Sequence, residues 1–200
     1  IWANQYDSNE NKTRDMEAVA LRNALADKMF DKCLEIGCGT GKNTQWLVGN
    51  CTEIVAVDLS DEMLAKAKEK IASPKVNFIH ADITKEWSFR NQQFDLLTFS
   101  LVLEHIEDLN DIFRKASEVI VPSGFVYVGE LHPFKQYTGT KARFETEEGL
   151  HIVTCFNHNI SDFTDAAKLH GFQIVEVKEY FDDSKRDSIP RIIAFLFKKL

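Results

Sequence analysis

The sequence predicts an α/β protein: a doubly wound, seven-stranded, mostly parallel sheet with helices on both faces and an antiparallel hairpin at its C-terminal end. Three observations predict it. Short apolar runs bounded by turn residues alternate with helical patterns through the first two thirds of the chain, as in successive βαβ units with right-handed crossovers. The first run breaks into a glycine-rich turn, "CLEIGCGTGKNT" (33–44), that opens a helix. The last two runs, "FQIVEVKEYF" and "RIIAFLFKK", are separated only by "DDSKRDSIP". That loop is too short for a helical crossover, so the two strands must be antiparallel.

Each element follows in order. Thr13 is a candidate cap for a first helix, whose apolar residues Ala18, Leu21, Leu25 and Met29 recur at helical spacing. "KCLEIG" reads as a buried strand, "KNTQWLVGN" as the helix behind the glycine turn, and "EIVAVD" as a second strand. Ser60 caps "LSDEMLAKAKEKI", with Leu64, Ala67 and Ile71 on one face. "KVNFIHAD" and "FDLLTFSLVL" are strands, "NDIFRKASEVI" is a helix, and Pro122-Ser123-Gly124 turns into the strand "GFVYVGEL". Residues 133–159 interrupt the rhythm, with a small hairpin expected around Glu148-Gly149. A helix capped at Ser161 and closed by Gly171 precedes the final hairpin.

The 200 residues fit a single domain with an N-terminal lid (1–28) and an inserted cover (about 133–159). No window carries the 18 or more apolar residues of a membrane span, and the polar opening "IWANQYDSNENKTRD" is not expected to be a secretory leader. The four cysteines, Cys33, Cys38, Cys51 and Cys155, form no CxxC pair. Reduced thiols in a cytoplasmic protein are therefore expected, with no metal site and no disulfide framework. A net charge of −7 argues against a large nucleic-acid footprint.

In such sheets ligands bind where strand one turns into helix one, and glycines there let backbone approach the ligand closely. A phosphate-binding loop of the form G-x-x-x-x-G-K-[ST] is excluded twice: Ile36 occupies the first glycine position and Asn43 the hydroxyl position. A dinucleotide fingerprint, G-x-G-x-x-G, fits Gly37 and Gly39, but position 42 is Lys and the third glycine arrives early at Gly41. A third reading joins Glu35-Ile36-Gly37-Cys38-Gly39-Thr40-Gly41, Asp58 ending the second strand, Asp82 after the third, and "FDLLTFSLVLEH" as the fourth.

This set resembles the class I S-adenosylmethionine-dependent methyltransferases, a Rossmann-like fold. It is most similar to the small-molecule branch typified by ubiquinone and menaquinone biosynthesis. The resemblance covers roughly residues 30–200. It implies S-adenosyl-L-methionine as cofactor and in-line transfer of its methyl group to a small acceptor. Asp58 would accept the ribose hydroxyls; a helix-capping role is the weaker alternative, because Ser60 already fills it. Asp82, with the Ile83 backbone, would meet the adenine edge, where a plain turn residue would also be at home. Leu59 and Met63 would sandwich the adenine, unless Met63 serves only the core. The Gly37 and Ser100 backbones would bind the methionine moiety, with Cys38 and Gly39 close beneath. Tyr6 and Arg14 would close over the cofactor as a lid, Arg14 meeting its carboxylate. Glu35 would orient the loop, or simply be a paired acid at a strand end.

A sulfonium is already a good leaving group, so a general base is needed only if the acceptor must lose a proton. His105 in "SLVLEHIED" and His132 in "GELHPF" follow strands expected to end beside the methyl group. Either could be that base, or a hydrogen-bonded capping residue, and Glu130 is a third candidate. The 133–159 segment carries Phe134, Tyr137, Phe144 and Phe156 with Lys141 and Arg143, which suits a planar or carboxylated small molecule. The fourth strand lacks [DN]-P-P-[YF] and Pro-Cys, so nucleic-acid substrates are not expected. A monomer or homodimer remote from membranes is expected. Two other readings compete: a cofactor-binding protein without transferase activity, and a nicotinamide-dependent oxidoreductase.

Overall fold

The computed structural model describes residues 11–139, 143–146, 149–152, 155–183 and 186–200, with side chains described outside 143–152. In chain order the elements are α1 (Lys12–Ala24), β1 (Phe30–Ile36), α2 (Lys42–Leu47), β2 (Cys51–Asp58), α3 (Asp61–Lys70), β3 (Val76–His80) and β4 (Phe94–Ser100). A 3₁₀ turn (Leu103–His105) leads to α4 (Leu109–Val119), β5 (Ile120–Leu131), α5 (Pro133–Tyr137), β6 (Arg143–Thr146) and β7 (Gly149–Ile152). The chain ends with α6 (Ile160–Leu169), β8 (Phe172–Tyr180) and β9 (Ile192–Lys199).

The main sheet has seven strands in the order β3-β2-β1-β4-β5-β9-β8. Strands β1 to β5 pair in parallel, while β9 runs antiparallel between β5 and β8. The predicted fold is the observed one, including the C-terminal hairpin. Because successive strand side chains point to opposite faces, each strand feeds two cores. Leu34, Val55, Leu97, Val128 and Phe195 pack with Phe113 of α4 and Phe163 of α6 on one face. Cys33, Ile54, Leu96, Tyr127 and Leu196 pack with Leu21 of α1 and Leu64 of α3 on the other. Burial on both faces is why these strands read as continuous apolar runs rather than alternating ones.

Several boundaries differ from the sequence reading. Asn11, not Thr13, caps α1, its side chain accepting from the Thr13 and Arg14 amides. Met29 lies beyond the helix and is 71% exposed. Asn159 rather than Ser161 caps α6, in a reciprocal capping box with Asp162. Pro122-Ser123-Gly124 does not precede β5 but lies within it. Phe94 faces Ile120 while Leu96 already faces Phe125, so the turn residues are accommodated as a bulge, with Ser123 at φ 66°. The expected small hairpin is β6–β7, with Thr146 opposite Gly149. No helix among the described residues is long and apolar enough to cross a membrane.

Candidate cofactor cleft

The strand order reverses between β1 and β4: the chain leaves β1 toward β2 and β3, then returns to the other side of β1. Loops at that switch point diverge and leave a crevice. It is walled by Gly37, Cys38, Gly39 and Thr40 after β1, Lys42 and Asn43 of α2, Ser100 and Leu101 after β4, Glu35 of β1, and Arg14 and Glu17 of α1.

The glycine loop is held by its own backbone. The Gly37 and Cys38 amides donate to the Val57 carbonyl at 2.7 and 3.0 Å, and the Gly41 amide donates to the Cys38 carbonyl at 2.9 Å. Gly37 (φ 73°) and Gly41 (φ 81°) are left-handed, and a Cβ would lie 2.2 Å from Val102 Cγ2 at Gly37 and 2.5 Å from Ile71 Cδ1 at Gly41. Both positions require glycine on conformational and steric grounds. Leu101, across the crevice, is also left-handed (φ 57°) without glycine's freedom, the kind of local strain found at binding sites.

Asp58 ends β2 and joins the loop to the next helix. Its Oδ2 accepts from the Gly39 amide and its Oδ1 from the Ser60 amide, both at 2.8 Å. Ser60 itself caps α3 by accepting from the Met63 amide at 3.3 Å, so Asp58 is not the helix cap. A carboxylate has about four lone-pair sites, and Asp58 retains acceptor capacity on both oxygens.

Beside the loop lie two buried carboxyls. Glu35 accepts from the Thr44 hydroxyl at 2.5 Å; burial first, then the nearby charges of Glu17 and Asp58, push it up to about 8. Glu17 accepts from the Tyr127 hydroxyl at 3.1 Å and from Asn43 Nδ2 at 3.0 Å, and burial pushes it up to about 7. Lys42 is held by an ion pair with Asp15. The sequence reading did not single out Glu17, Thr40, Lys42, Asn43, Thr44 or Leu101. A signal for Glu17 was present, since a carboxylate sits in helical register with the buried Leu21 and Ala24.

Of the residues proposed from sequence, the crevice gathers Arg14, Gly37, Cys38, Gly39 and Ser100, with Asp58 attached through Gly39. Tyr6 lies outside the described residues. Leu59 follows β2, Met63 lies in the first turn of α3, and Asp82 and Ile83 follow β3, all outside the residues that wall the crevice. Leu59 is 65% exposed, whereas Met63 is buried among core residues. Asp82 accepts from the amide and hydroxyl of Thr84, which hold its carboxyl below the usual range. The Ile83 carbonyl accepts from Trp87 Nε1 and Lys115 Nζ.

The base candidates sort differently from the sequence reading. His132 is fully buried and caps α5: its Nδ1 accepts from the Phe134 amide at 3.2 Å, while its Nε2 meets Glu179 at 3.0 Å. With both ring nitrogens engaged and burial lowering its pKa, His132 is a structural cap rather than a free base. His132→Ala is expected to cost about 1–2 kcal/mol through the lost cap, lowering Tm by roughly 2–8 °C. Thermal unfolding checks the loss, and turnover per folded molecule should change less than the stability does. Glu130 is likewise committed, accepting from the backbone amides of Val102, Leu103 and Glu104. His105 is half-buried, with Nδ1 3.8 Å from Cys155 Sγ and Nε2 3.9 Å from Glu104. The side chains of Lys141, Arg143 and Phe144 lie outside the described residues, while Phe134 and Tyr137 are exposed and packed together at 6.1 Å between ring centroids. Among the described residues no cluster of His, Cys, Asp and Glu could hold a metal ion.

A glycine crevice at the switch point, next to an acid ending the second strand, defines an α/β protein built to hold an adenosine-bearing ligand. Residues 34–128 match the family described as a methyltransferase domain. The malonyl-[acyl-carrier protein] O-methyltransferase of Enterobacter lignolyticus (strain SCF1) is 30% identical over 116 residues, 58% of this chain and 44% of that protein. The demethylmenaquinone methyltransferase of Staphylococcus aureus (strain MRSA252) is 34% identical over 99 residues, 48% of this chain and 41% of that protein. The match thus spans less than half the length of these relatives. Among solved structures, an S-adenosylmethionine-dependent methyltransferase from Mesorhizobium loti superposes with a TM-score of 0.77 at 20% identity, covering 93% of this chain and 100% of the other. The N-methyltransferase NodS from Bradyrhizobium japonicum WM9, in complex with S-adenosyl-L-homocysteine, gives 0.71 at 18% identity, covering 96% and 89%. These two likenesses concern the fold. The chain is thus similar to methyltransferases in sequence over residues 34–128 and shares the fold of S-adenosylmethionine-dependent ones over most of its length.

Proposed function

We propose that the chain catalyses in-line transfer of the sulfonium methyl of S-adenosylmethionine to a small-molecule acceptor. The observation that carries this reading is the loop Gly37–Gly41, whose left-handed glycines pack closely on Val102 and Ile71 beside a crevice that Asp58 ties to the end of β2. The residues fit the cofactor. Gly37, Cys38, Gly39 and Ser100 would line its methionine portion, Asp58 the ribose, and Leu59, Met63, Asp82 and Ile83 the adenine. Arg14, on the core-packed α1, would meet its carboxylate and with Tyr6 close over the cofactor, as part of an N-terminal lid (1–28). When bound, S-adenosylmethionine supplies an electrophilic methyl on a good leaving group. The protein then has to align the acceptor and exclude water, which supplies much of the acceleration.

The segment 133–159 is the proposed acceptor cover, with the exposed Phe134 and Tyr137 as an aromatic surface for a planar molecule. Where the acceptor carries a proton to lose, His105 is the proposed recipient, being only half-buried where His132 is fully buried. Relatives named malonyl-[acyl-carrier protein] O-methyltransferase and demethylmenaquinone methyltransferase support an acceptor other than a nucleic acid. The net charge of −7 agrees. A cytoplasmic monomer or homodimer remains the proposed setting.

Calorimetric titration with S-adenosylhomocysteine, with NADH in parallel, tests the reading. Micromolar binding of the first alone is expected. Asp58→Ala should weaken it at least tenfold, about 1.4 kcal/mol. Unchanged affinity in a folded variant would remove Asp58 from the ribose site, and binding of NADH alone would overturn the assignment.

A further inference from the structure

The crevice presents two kinds of charge. Arg14 and Lys42 bring cations, and Glu17 and Glu35 bring carboxyls. An α-amino acid terminus is a zwitterion, and such a wall complements both its ends. Glu17 reaches the crevice from α1, outside residues 34–128 that carry the family match.

Its carboxyl is held in place from two elements: Tyr127 on β5 donates to Oε1 and Asn43 on α2 donates to Oε2. Gly129 on β5 keeps the room open, since a Cβ there would lie 2.7 Å from Glu17 Oε1 and 2.4 Å from Tyr127 Oη. Pinning a helix to a loop does not require an acid. A buried glutamine could accept from Tyr127 without the desolvation cost of a carboxylate beside a second carboxyl. An acid in this position is explained by a cation that arrives from outside.

Resting on the methyltransferase reading, we propose that Glu17 is a ligand-binding residue, its carboxylate receiving the α-ammonium group of the cofactor's amino-acid end alongside Glu35. Binding is then linked to protons. The groups facing Glu17 are Glu35 on β1, Tyr127 on β5, Asn43 and Lys42 on α2 and Ser100 after β4, with Arg14 on its own helix and Asp58 beyond Glu35. With Glu17 near 7 and Glu35 near 8, a share of both is protonated at neutral pH. A cation that requires the ionised form must expel that proton, so affinity rises between pH 6 and 8.

The test compares S-adenosylhomocysteine with 5′-methylthioadenosine, which lacks the amino-acid end, in phosphate and in Tris at pH 7. The binding enthalpy of S-adenosylhomocysteine should depend on the buffer, reporting release of roughly half a proton or more. Glu17→Gln should weaken this ligand at least tenfold and reduce the release, while 5′-methylthioadenosine binds the variant as it binds the wild type. A residue that merely pins the helix would lose both ligands equally, and that outcome overturns the proposal. So does buffer-independent enthalpy in the wild type, a measurement that needs no variant. If S-adenosylhomocysteine fails to bind the wild type, the methyltransferase reading falls and this proposal with it. If it binds and Glu17→Gln is indistinguishable, only the role of Glu17 is lost.

Discussion

Gly37→Ala should lose about 2–5 kcal/mol of stability and, with the loop displaced, measurable binding of S-adenosylhomocysteine. Two penalties add. An L-residue at φ 73° costs roughly 1–2 kcal/mol. The new methyl would also sit 2.2 Å from Val102 Cγ2, and overpacking of that kind costs typically about 1–3 kcal/mol. Val102 cannot retreat cheaply. Its amide donates to the buried carboxyl of Glu130 at 3.0 Å, and it follows the left-handed Leu101. The two penalties separate in a double-mutant cycle. Adding Val102→Ala to Gly37→Ala should restore the steric share, while the backbone share persists. Urea midpoints of the four proteins measure it. A single-variant loss under about 0.5 kcal/mol would mean that neither constraint operates.

The fold was largely legible because its information is local. Strands such as "EIVAVD", buried on both faces, announce a parallel sheet, and a nine-residue connection between the last two runs leaves only an antiparallel hairpin. Misplaced boundaries came from competition among good capping residues. Asn11 and Thr13, and likewise Asn159 and Ser161, are all acceptable caps, and only the backbone geometry chooses between them. The bulge at Pro122–Gly124 was misread for a comparable reason. Turn residues inside a strand look like turn residues before one until the register opposite is known.

The site was legible where backbone carries the function and opaque where side chains do. Glycines, and an acid at a strand end, mark positions whose geometry the fold dictates: Gly37 and Gly39 wall the crevice, and Asp58 holds the Gly39 amide. Histidine and glutamate carry no such mark. His132 and Glu130 follow or end β5 as the sequence suggested, yet a helix start and a 3₁₀ turn need their capping groups. Glu17 escaped notice because its partners, Asn43 and Tyr127, are 26 and 110 residues distant in sequence, a proximity that exists only after α1 packs across β4 and β5.

The ligand-free protein should be more stable at pH 5.5 than at pH 8.5, the reverse of the usual behaviour of surface carboxylates. The folded state holds Glu17 near 7 and Glu35 near 8, against about 4.3 for an unfolded glutamate. The folded chain thus binds more protons than the unfolded chain between those limits, and stability falls as pH rises through 7 and 8. Glu104 and Glu130, also raised chiefly by burial, act in the same direction. His132 opposes them: burial lowers its pKa, so its contribution grows as pH rises toward 6.5 and is complete before the two carboxyls finish ionising. Asp82, Asp111 and Asp182, held low by their hydrogen bonds, withdraw stability only below about pH 4. One pH unit per proton corresponds to about 1.4 kcal/mol, so Glu17, with its excess proton held from pH 5.5 to about 7, accounts for roughly 2 kcal/mol across the window, or about 4–8 °C in Tm. Thermal unfolding at both pH values measures it. Glu17→Gln should flatten the difference while leaving stability at pH 5.5 little changed, because the protonated acid and the amide are alike in shape and charge. A wild-type Tm that climbs from pH 5.5 to 8.5 would show that both carboxyls are already ionised in the folded protein.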